Sequence, residues 1–233
     1  MFSIIIPAYN EEKRIRQTLI NYINFFKNKN VEIFVVLNGC RDNTLDIVKE
    51  FSRKYHQIKY QNYPEKLGKG GAILKGFELV TGSLIAYTDS DGSTKPEDLF
   101  DLTRKIQDYD GVIGSRWLKN SVITKKQDLL RIFLGRGYNL LVRLILNLPF
   151  KDTQCASKVF KKEAILSIIN EVEVTNFSFD AALLYKLNKK GFKIKEEPII
   201  WENKGGSTVN LTKDVPKMLS AIIKVRLKDI FKQ

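Results

Sequence analysis

Histidine is nearly absent from this chain of 233 residues: His56 is the single one, and cysteine occurs only as Cys40 and Cys155. With His56 expected on a solvated connection between a helix and a strand, Ser-His-Asp hydrolysis, histidine-ligated zinc and HExxH chemistry are excluded. The two cysteines make no disulfide framework and lack metal-ligand spacing, so they fit a reducing compartment. Any catalysis must therefore rest on carboxylates, cations or an oxygen-ligated metal ion.

The chain also lacks a long uncharged apolar run. The first apolar segment, residues 4–6, ends at Pro7 and has no basic region before it, so a signal peptide is not expected. The most apolar region, residues 129–150, contains three arginines and falls short of the roughly 20 uninterrupted residues of a spanning helix. We expect a cytoplasmic protein that meets the cytoplasmic face of a membrane only peripherally. The interrupting arginines are Arg131, Arg136 and Arg143.

Acidic residues are scarce relative to basic ones: 26 against 39, for a formal net charge of +13. Residues 119–162 carry ten basic and two acidic side chains, which is a net +8 in that region. Such an excess predicts a polyanionic partner, namely nucleotide phosphates, nucleic acid or an anionic membrane surface. A uniformly basic solvated surface is the alternative, and the clustering argues against it.

What is present in the first half is an alternation of short apolar runs and helical segments. It predicts a mostly parallel α/β sheet with helices on both faces. The expected strands cover residues 3–6, 31–37, 58–61, 83–88 and 111–113; the expected helices cover 11–26, capped by Asn10, then 43–55, 70–80 and a segment starting at Pro96.

Beyond Arg116 longer helices are expected, with strands at 157–161 and 194–201 and helices near 178–187 and from 215 onward. No linker or repeat interrupts the chain. We therefore predict one domain over residues 1–233, with a nucleotide-binding half at 1–116 and an acceptor half at 117–233. The apolar stripes of residues 129–150 and 215–231 fit either a membrane surface or ordinary core; membrane contact is favoured for the first and core for the second.

Ligands of parallel sheets bind at the carboxyl ends of the strands, where this sequence places its unusual residues. Asp89-Ser90-Asp91 directly follows an expected strand. One of the two carboxylates can coordinate Mg²⁺ or Mn²⁺ while the other orders a nucleotide, and a diphosphate leaving group needs such a cation. An Asp-Gly turn that simply ends a strand is the alternative. Similarly, Gly68-Lys69-Gly70-Gly71 is either an anion site at a helix start or a tight turn with a solvated lysine.

Taken together and in order, these segments resemble family 2 glycosyltransferases of the GT-A fold, most closely the dolichyl-phosphate glucosyltransferase and dolichyl-phosphate mannose synthase group. The resemblance covers the chain from its start to about residue 211. The matching segments are Ile6-Pro7-Ala8-Tyr9-Asn10-Glu11, Gly68-Lys69-Gly70-Gly71-Ala72, Asp89-Ser90-Asp91-Gly92, Gly114-Ser115-Arg116, Lys151-Asp152-Thr153-Gln154-Cys155, Phe179-Asp180 and Gly206-Ser207-Thr208-Val209-Asn210-Leu211.

The resemblance implies a role for each matching position. Asp91 would be the protein ligand of a Mg²⁺ or Mn²⁺ ion, and Asp89 would contact the nucleoside. Arg116 would face phosphate, and Arg131 or Lys158 would help it to hold an acceptor phosphate. The remaining donor-site residues would be Pro7, Tyr9 and Glu11 at the base and ribose, Gly68 and Lys69 along the donor, and Gln154 near the sugar or diphosphate.

Two positions depart from the family pattern. Leu37-Asn38-Gly39-Cys40 stands where Asp-Asp-Gly-Ser is usual, although the side-chain oxygen of Asn38 can still accept a hydrogen bond from uracil N3–H. Ala182 stands where the glucosyltransferase branch tends to have Glu. The first departure weakens uridine recognition, and the resemblance still favours UDP over GDP.

The predicted reaction is an inverting transfer of a hexose, glucose or mannose, from a nucleotide sugar to a polyprenyl phosphate such as dolichyl phosphate. Transfer to a hydroxyl of a glycan is the alternative, and a non-catalytic basic binding protein is a remote one. Asp180 is the candidate general base, a role that a hydroxyl acceptor needs and a phosphate does not. A helix cap is the plainer interpretation of Asp180. No nucleic-acid partner is expected, because the basic region has too few aromatic residues for a stacking platform.

Overall fold

Short apolar, β-branched runs form the central sheet in the computed structural model, which describes residues 1–125, 129–205 and 211–231. The strands are β1 Phe2–Ala8, β2 Val31–Asn38, β3 Ile58–Tyr63, β4 Leu84–Tyr87, β5 Gly111–Ser115, β6 Val122–Lys125, β7 Lys158–Lys161, β8 Ile194–Pro198 and β9 Ile200–Glu202. The helices are α1 Ile15–Phe26, α2 Thr44–Lys54, α3 Gly68–Leu79, α4 Pro96–Arg104, α5 Leu129–Leu146, α6 Lys162–Ile168, α7 Phe179–Lys189 and α8 Leu211–Ile230.

Seven strands form one sheet in the order β3-β2-β1-β4-β7-β5-β8. β1 runs parallel to both β2 and β4, whereas β7 runs antiparallel to its neighbours β4 and β5. β6 and β9 pair separately as a two-stranded sheet. The prediction of a mostly parallel sheet is thus confirmed, with β7 as the antiparallel exception.

The hydrophobic core lies on both faces of this sheet, because successive strand side chains point to opposite sides. On one face Ile5 and Ile85 pack with buried residues of α3, α5, α6, α7 and α8. On the other face Ile4 and Ile6 pack with α1, α2 and α4. The expected helices on both faces are therefore present.

The two predicted halves share the central sheet. β7 comes from the second half and lies between β4 and β5 of the first, and β8 completes the edge. The boundary at residue 116 therefore does not separate two cores.

The expected cap of the first helix is wrong. α1 begins at Ile15 rather than residue 11, and no acidic residue lies in its first turn. Asn10 instead has a positive φ of 54° and accepts a hydrogen bond from the backbone N–H of Arg41. The Glu11 N–H donates to Thr44 Oγ1 at 2.7 Å. The segment after β1 thus contacts the loop before α2, which delays the start of the helix.

The single strand expected over residues 194–201 is also wrong. β8 pairs with β5 and ends at Pro198, while β9 begins at Ile200 and pairs with β6 in the other sheet. Proline has no N–H for a sheet hydrogen bond, so the chain changes partners there. Most of the predicted motif at residues 206–211 lies outside the described residues.

None of the described helices is long and apolar enough to cross a membrane. α5 and α8 pack against each other and each has one buried and one exposed apolar side. Val142 and Ile222 are fully buried, whereas Phe133 is 74% and Ile230 50% exposed. The prediction of core for the last helix therefore describes only one of its faces.

Candidate functional site

A cleft of about 590 Å³ opens at the carboxyl ends of the central strands. Twelve of the thirteen site residues expected from the sequence line it. They are Pro7, Tyr9, Glu11, Asn38, Gly68, Lys69, Asp89, Asp91, Arg116, Arg131, Gln154 and Asp180.

The two aspartates that follow β4 differ in their surroundings. Asp91 accepts a hydrogen bond from the backbone N–H of Ser93 at 2.9 Å, and Asp89 forms an ion pair with Lys69. Burial raises the pKa of Asp91 above its ordinary value, and the nearby charge of Asp89 adds to this shift. Burial likewise raises the pKa of Glu11, and the charge of Asp91 adds to this increase. Asp91 thus interacts electrostatically with both Asp89 and Glu11.

Arg14 supplies a positive charge next to Glu11, and the sequence reasoning missed it. Its Nε and Nη2 each donate to the Glu11 carboxylate at 2.7 Å, and Nη1 donates to the Gly205 carbonyl at 3.2 Å. Arg14 thus connects Glu11 to the loop that follows β9. The three-residue spacing of Glu11 and Arg14 was the feature of the sequence that could have indicated this ion pair.

Among the described residues, no group of three or more His, Cys, Asp or Glu side chains is arranged to hold a metal ion unaided. The residues nonetheless fit Mg²⁺ or Mn²⁺ in a shared site. Mg²⁺ is commonly bound through one or two carboxylates plus substrate phosphate oxygens. Asp89 and Asp91 both line the cleft at the end of β4, where two carboxylates could share such an ion with a bound phosphate.

Glycines allow Lys69 to reach the cleft. Gly68 has a φ of +78°, and a Cβ there would lie 2.5 Å from the Thr175 carbonyl oxygen. A Cβ on Gly70 would lie 2.5 Å from the Cβ of Phe179. α3 therefore begins in close contact with the segment that leads into α7, and Lys69 is held between α7 and Asp89.

Lys158 is the one expected site residue that does not line the cleft. Its side chain is fully buried, and its Nζ lies 2.7 Å from Asp180 Oδ1. It also donates to the Cys155 carbonyl. An ammonium without exposed surface cannot meet an acceptor phosphate, so the acceptor role expected of Lys158 is corrected.

Asp180 lies in the first turn of α7 with 1% of its side chain exposed. Tyr87 Oη donates to its Oδ1 at 2.7 Å, and Lys69 Nζ lies 3.5 Å from its Oδ2. Burial alone would raise the pKa of Asp180, but Lys158 and Lys69 together lower it below its ordinary value. A carboxylate in this setting stays ionised and is a weak base.

Arg116 is held rigidly at the wall of the cleft. Its Nε and Nη2 donate to the fully buried carboxylate of Asp152 at 2.7 and 2.9 Å. The guanidinium also lies 5.4 Å from the ring centroids of both Trp117 and Trp201. Asp152 thus accepts hydrogen bonds from both Nε and Nη2 of the guanidinium. The sequence motif included Asp152 but did not reveal this support.

Asn38, at the end of β2, and Tyr9, just after β1, both line the cleft. Asn38 Nδ2 donates to the Ala8 carbonyl at 3.0 Å, which directs the amide oxygen away from that backbone. The ammonium of Lys66 lies over the Tyr9 ring, 4.0 Å from its centroid, in a cation–π contact. Lys66 also lines the cleft and was not expected from the sequence.

Comparison with known proteins relates this geometry to a family. The sequence matches the family model described as Glycosyl transferase family 2 over residues 3–168. The chain is 32% identical over 228 residues to the glycosyltransferase AglD of Haloferax volcanii, with 95% of the chain and 36% of that protein covered. It is 33% identical over 246 residues to the dolichyl-phosphate beta-glucosyltransferase of Saccharomyces cerevisiae, with 97% and 74% covered.

The chain thus spans about a third of the archaeal relative and about three quarters of the yeast one. Among solved structures, glucosyl-3-phosphoglycerate synthase from Mycobacterium tuberculosis matches with a TM-score of 0.71 at 17% identity, covering 98% of this chain and 80% of that one. The same synthase in complex with Mn²⁺, UDP-glucose and phosphoglyceric acid matches with a TM-score of 0.70 at 15% identity, covering 97% and 79%. At these identities the likeness concerns the fold.

Proposed function

Because this chain belongs to glycosyl transferase family 2 and has the GT-A fold, we propose that it transfers glucose from UDP-glucose to a polyprenyl phosphate of the dolichyl type, with inversion at the sugar. The observation that carries the proposal is the composition of the cleft at the carboxyl ends of the central strands. It contains the carboxylates Asp89 and Asp91 together with the cations Arg14, Arg116 and Arg131. Such a set suits two phosphate-bearing ligands and one divalent cation.

The choice of glucose and of a polyprenyl phosphate rests on relatives. Dolichyl-phosphate beta-glucosyltransferases from several eukaryotes are 27–33% identical to the chain, and the chain covers 66–74% of their lengths. The alignments cover 88–97% of this chain, so they extend over nearly its whole length.

The acceptor phosphate needs no base from the protein. A phosphate monoester has a second pKa of about 6, so it is already a nucleophile at neutral pH. Its oxygen forms the new bond to the sugar C1, while the bond from C1 to the diphosphate breaks and the electron pair remains on the diphosphate. Arg116, fixed by Asp152, would orient the acceptor phosphate. The alternative of a hydroxyl acceptor is disfavoured because Asp180 is buried and ion-paired.

A divalent cation would neutralise the charge that develops on the leaving diphosphate. Asp91 would hold that cation, and Asp89 would contact the nucleotide. Arg14 would retain Glu11 on the ribose side of the cleft, because it is bonded to both oxygens of that carboxylate.

Uridine is favoured as the nucleoside. With its amide nitrogen bonded to the Ala8 carbonyl, Asn38 has its oxygen available to accept the N3–H of uracil. The base would lie beside the Tyr9 ring, one face of which meets the Lys66 ammonium.

The membrane contact would be peripheral and made by α5 and α8. Their exposed apolar side chains lie beside basic residues such as Arg136 and Lys224, the pattern of a helix at headgroup level. α5 also carries Arg131 into the cleft, so this face adjoins the place where a lipid phosphate would react.

The test is a donor panel with the purified chain, radiolabelled UDP-glucose, UDP-galactose or GDP-mannose, polyprenyl phosphate in detergent, and Mn²⁺ or Mg²⁺. We expect labelled lipid from UDP-glucose, its loss with EDTA, and at least about a 100-fold lower rate in Asp91→Asn. Asp108→Asn removes a charge at an exposed position outside the cleft and serves as the matched control. If transfer survives both EDTA and Asp91→Asn, the proposed metal dependence is wrong. If a labelled product forms only with a glycan acceptor, the proposed polyprenyl phosphate acceptor is wrong and a glycan hydroxyl takes its place.

A further inference from the structure

Four charged side chains extend in series from the cleft into the interior: Asp89, Lys69, Asp180 and Lys158. Lys69 Nζ lies 2.9 Å from Asp89 Oδ1 and 3.5 Å from Asp180 Oδ2. Lys158 Nζ lies 2.7 Å from Asp180 Oδ1. Side-chain exposure falls from 39% for Asp89 through 14% for Lys69 to 1% and 0% for the inner pair. The solvent-exposed surface of the series thus belongs to its outer two residues.

The inner end of the series is fixed by the sheet. Tyr87 of β4 and Lys158 of β7 are register partners, so their side chains point to the same face. Both donate to the same oxygen of Asp180, and the ammonium of Lys158 is also bonded to the Cys155 carbonyl. Two strands of the central sheet thus hold one carboxylate of α7.

We propose that Asp180 is a positioning residue rather than a general base, and that its carboxylate, fixed by Lys158 and Tyr87, holds the ammonium of Lys69 at the donor side of the cleft. The inference rests on the proposed function, because the donor is the ligand that Lys69 would contact. Oδ1 of Asp180 already accepts two hydrogen bonds, and Oδ2 faces Lys69. Both oxygens are therefore already engaged by donors or cations of the protein.

The arrangement suits a fixed cation. An ammonium that is already oriented does not have to reorganise when negative charge develops on the donor diphosphate, and such preorganised charge stabilises a transition state. A lone surface lysine would instead have to lose side-chain entropy on binding. Gly68 and Gly70, which admit the close approach of α3 to the segment before α7, are the local sequence feature that makes this possible.

The experiment is a double-mutant cycle of Lys69→Met and Asp180→Asn, read by steady-state transfer from UDP-glucose and by calorimetric binding of UDP with Mn²⁺. If Asp180 acts through Lys69, each single variant lowers kcat/KM for the donor by about 10-fold or more, and the double variant is no worse than Lys69→Met alone. Lys75→Met, on the exposed side of the same helix, is the matched control and should leave both readouts unchanged.

A general base would give a different result. Asp180→Asn would then lower kcat by about 100- to 10,000-fold with little effect on UDP binding, and its effect would multiply with that of Lys69→Met. Either that outcome or an unaltered Asp180→Asn enzyme would overturn the inference.

Because Asp180→Asn leaves Lys158 without its carboxylate, Tyr87→Phe provides a milder second test that keeps every charge. We expect kcat/KM to fall about 2- to 10-fold, the range of one lost hydrogen bond, and this fall to vanish in the Lys69→Met background. Multiplicative losses would contradict the inference. A wild-type chain that transfers no sugar would overturn the proposed function, and the cycle would then be decided by UDP and GDP binding alone.

Discussion

Among single residues, Asp152 is a buried carboxylate whose environment determines how Arg116 is held. It is fully buried, and it accepts hydrogen bonds from the Arg116 side chain and from the backbone N–H groups of Arg116, Gln154 and Cys155. A buried carboxylate is tolerated only when it is paired and hydrogen-bonded in this way. The backbone N–H groups fix the Asp152 carboxylate, and this carboxylate in turn fixes the position of the Arg116 side chain at the cleft wall.

Asp152→Asn should lower the free energy of unfolding by about 3–5 kcal/mol at neutral pH, because Arg116 loses its buried partner. Although burial opposes it, the charge and hydrogen bonds of Arg116 hold the pKa of Asp152 below the ordinary 3.8. A lowered folded-state pKa gives stability that is complete above the unfolded value and is lost as pH falls through the folded value.

The measurement is urea unfolding of both proteins between neutral pH and about pH 3. The difference between wild type and Asp152→Asn should stay constant down to about pH 4 and shrink below it. A difference that grows on acidification would contradict the assignment. Asp108→Asn again serves as the exposed control.

At the scale of single elements, glycines in two helices have opposite meanings. In α3, a Cβ at Gly70 would lie 2.5 Å from Phe179 Cβ and 2.8 Å from the Val174 carbonyl oxygen. In α5, a Cβ at Gly137 would meet nothing within 4 Å. The first glycine permits packing that assembles the site, and the second only adds freedom to the helix.

Gly70→Ala should therefore destabilise the protein by about 1–3 kcal/mol through overpacking and weaken UDP binding. Gly137→Ala should stabilise it by about 0.5–1 kcal/mol, because alanine loses less backbone entropy in a helix. Thermal unfolding and calorimetric UDP binding test the pair. If both substitutions change stability and UDP binding equally, the close packing of Gly70 against Phe179 and Val174 does not contribute to either.

The exposed face of α5 gives a second element-scale prediction. Replacing both Phe133 and Leu144 by Ser should reduce binding to vesicles containing acidic lipids by at least about 10-fold, because each side chain can contribute about 1.5–3 kcal/mol on burial. Leu166→Ser on α6, which is 49% exposed, is the matched control. Flotation of the vesicles measures the bound fraction, and unchanged binding by the double variant would rule out this face.

At the scale of the whole molecule, the shared sheet predicts one cooperative unit. β7 of the second half separates β4 from β5 of the first, so neither half can complete the sheet alone. Both tryptophans belong to the second half, whereas backbone circular dichroism reports on the entire chain. Unfolding followed by these two signals should coincide in a single transition. Two separate transitions would show that the two halves unfold independently, which contradicts the prediction of one cooperative unit.

Much of this architecture follows from the sequence by itself. Short β-branched runs and the intervening helical periodicity predict the alternation of β1 to β5 with α1 to α4, because local propensity and burial pattern agree there. The Asp-Ser-Asp segment after a strand locates the cleft, because the carboxyl ends of parallel strands meet at one edge. The family was likewise recognisable from ordered motifs.

Tertiary structure alone decided the partners of the charged residues. Lys158 looked like a cation available to a phosphate, yet the pairing of β7 between β4 and β5 buries it against Asp180. Arg14 gained its importance from contact with Gly205, which lies 191 residues away in the chain. Composition and local pattern determine which charges exist and which elements carry them. Which of those charges remain in water and which are buried in pairs depends on long-range packing, because burial is a property of the assembled sheet.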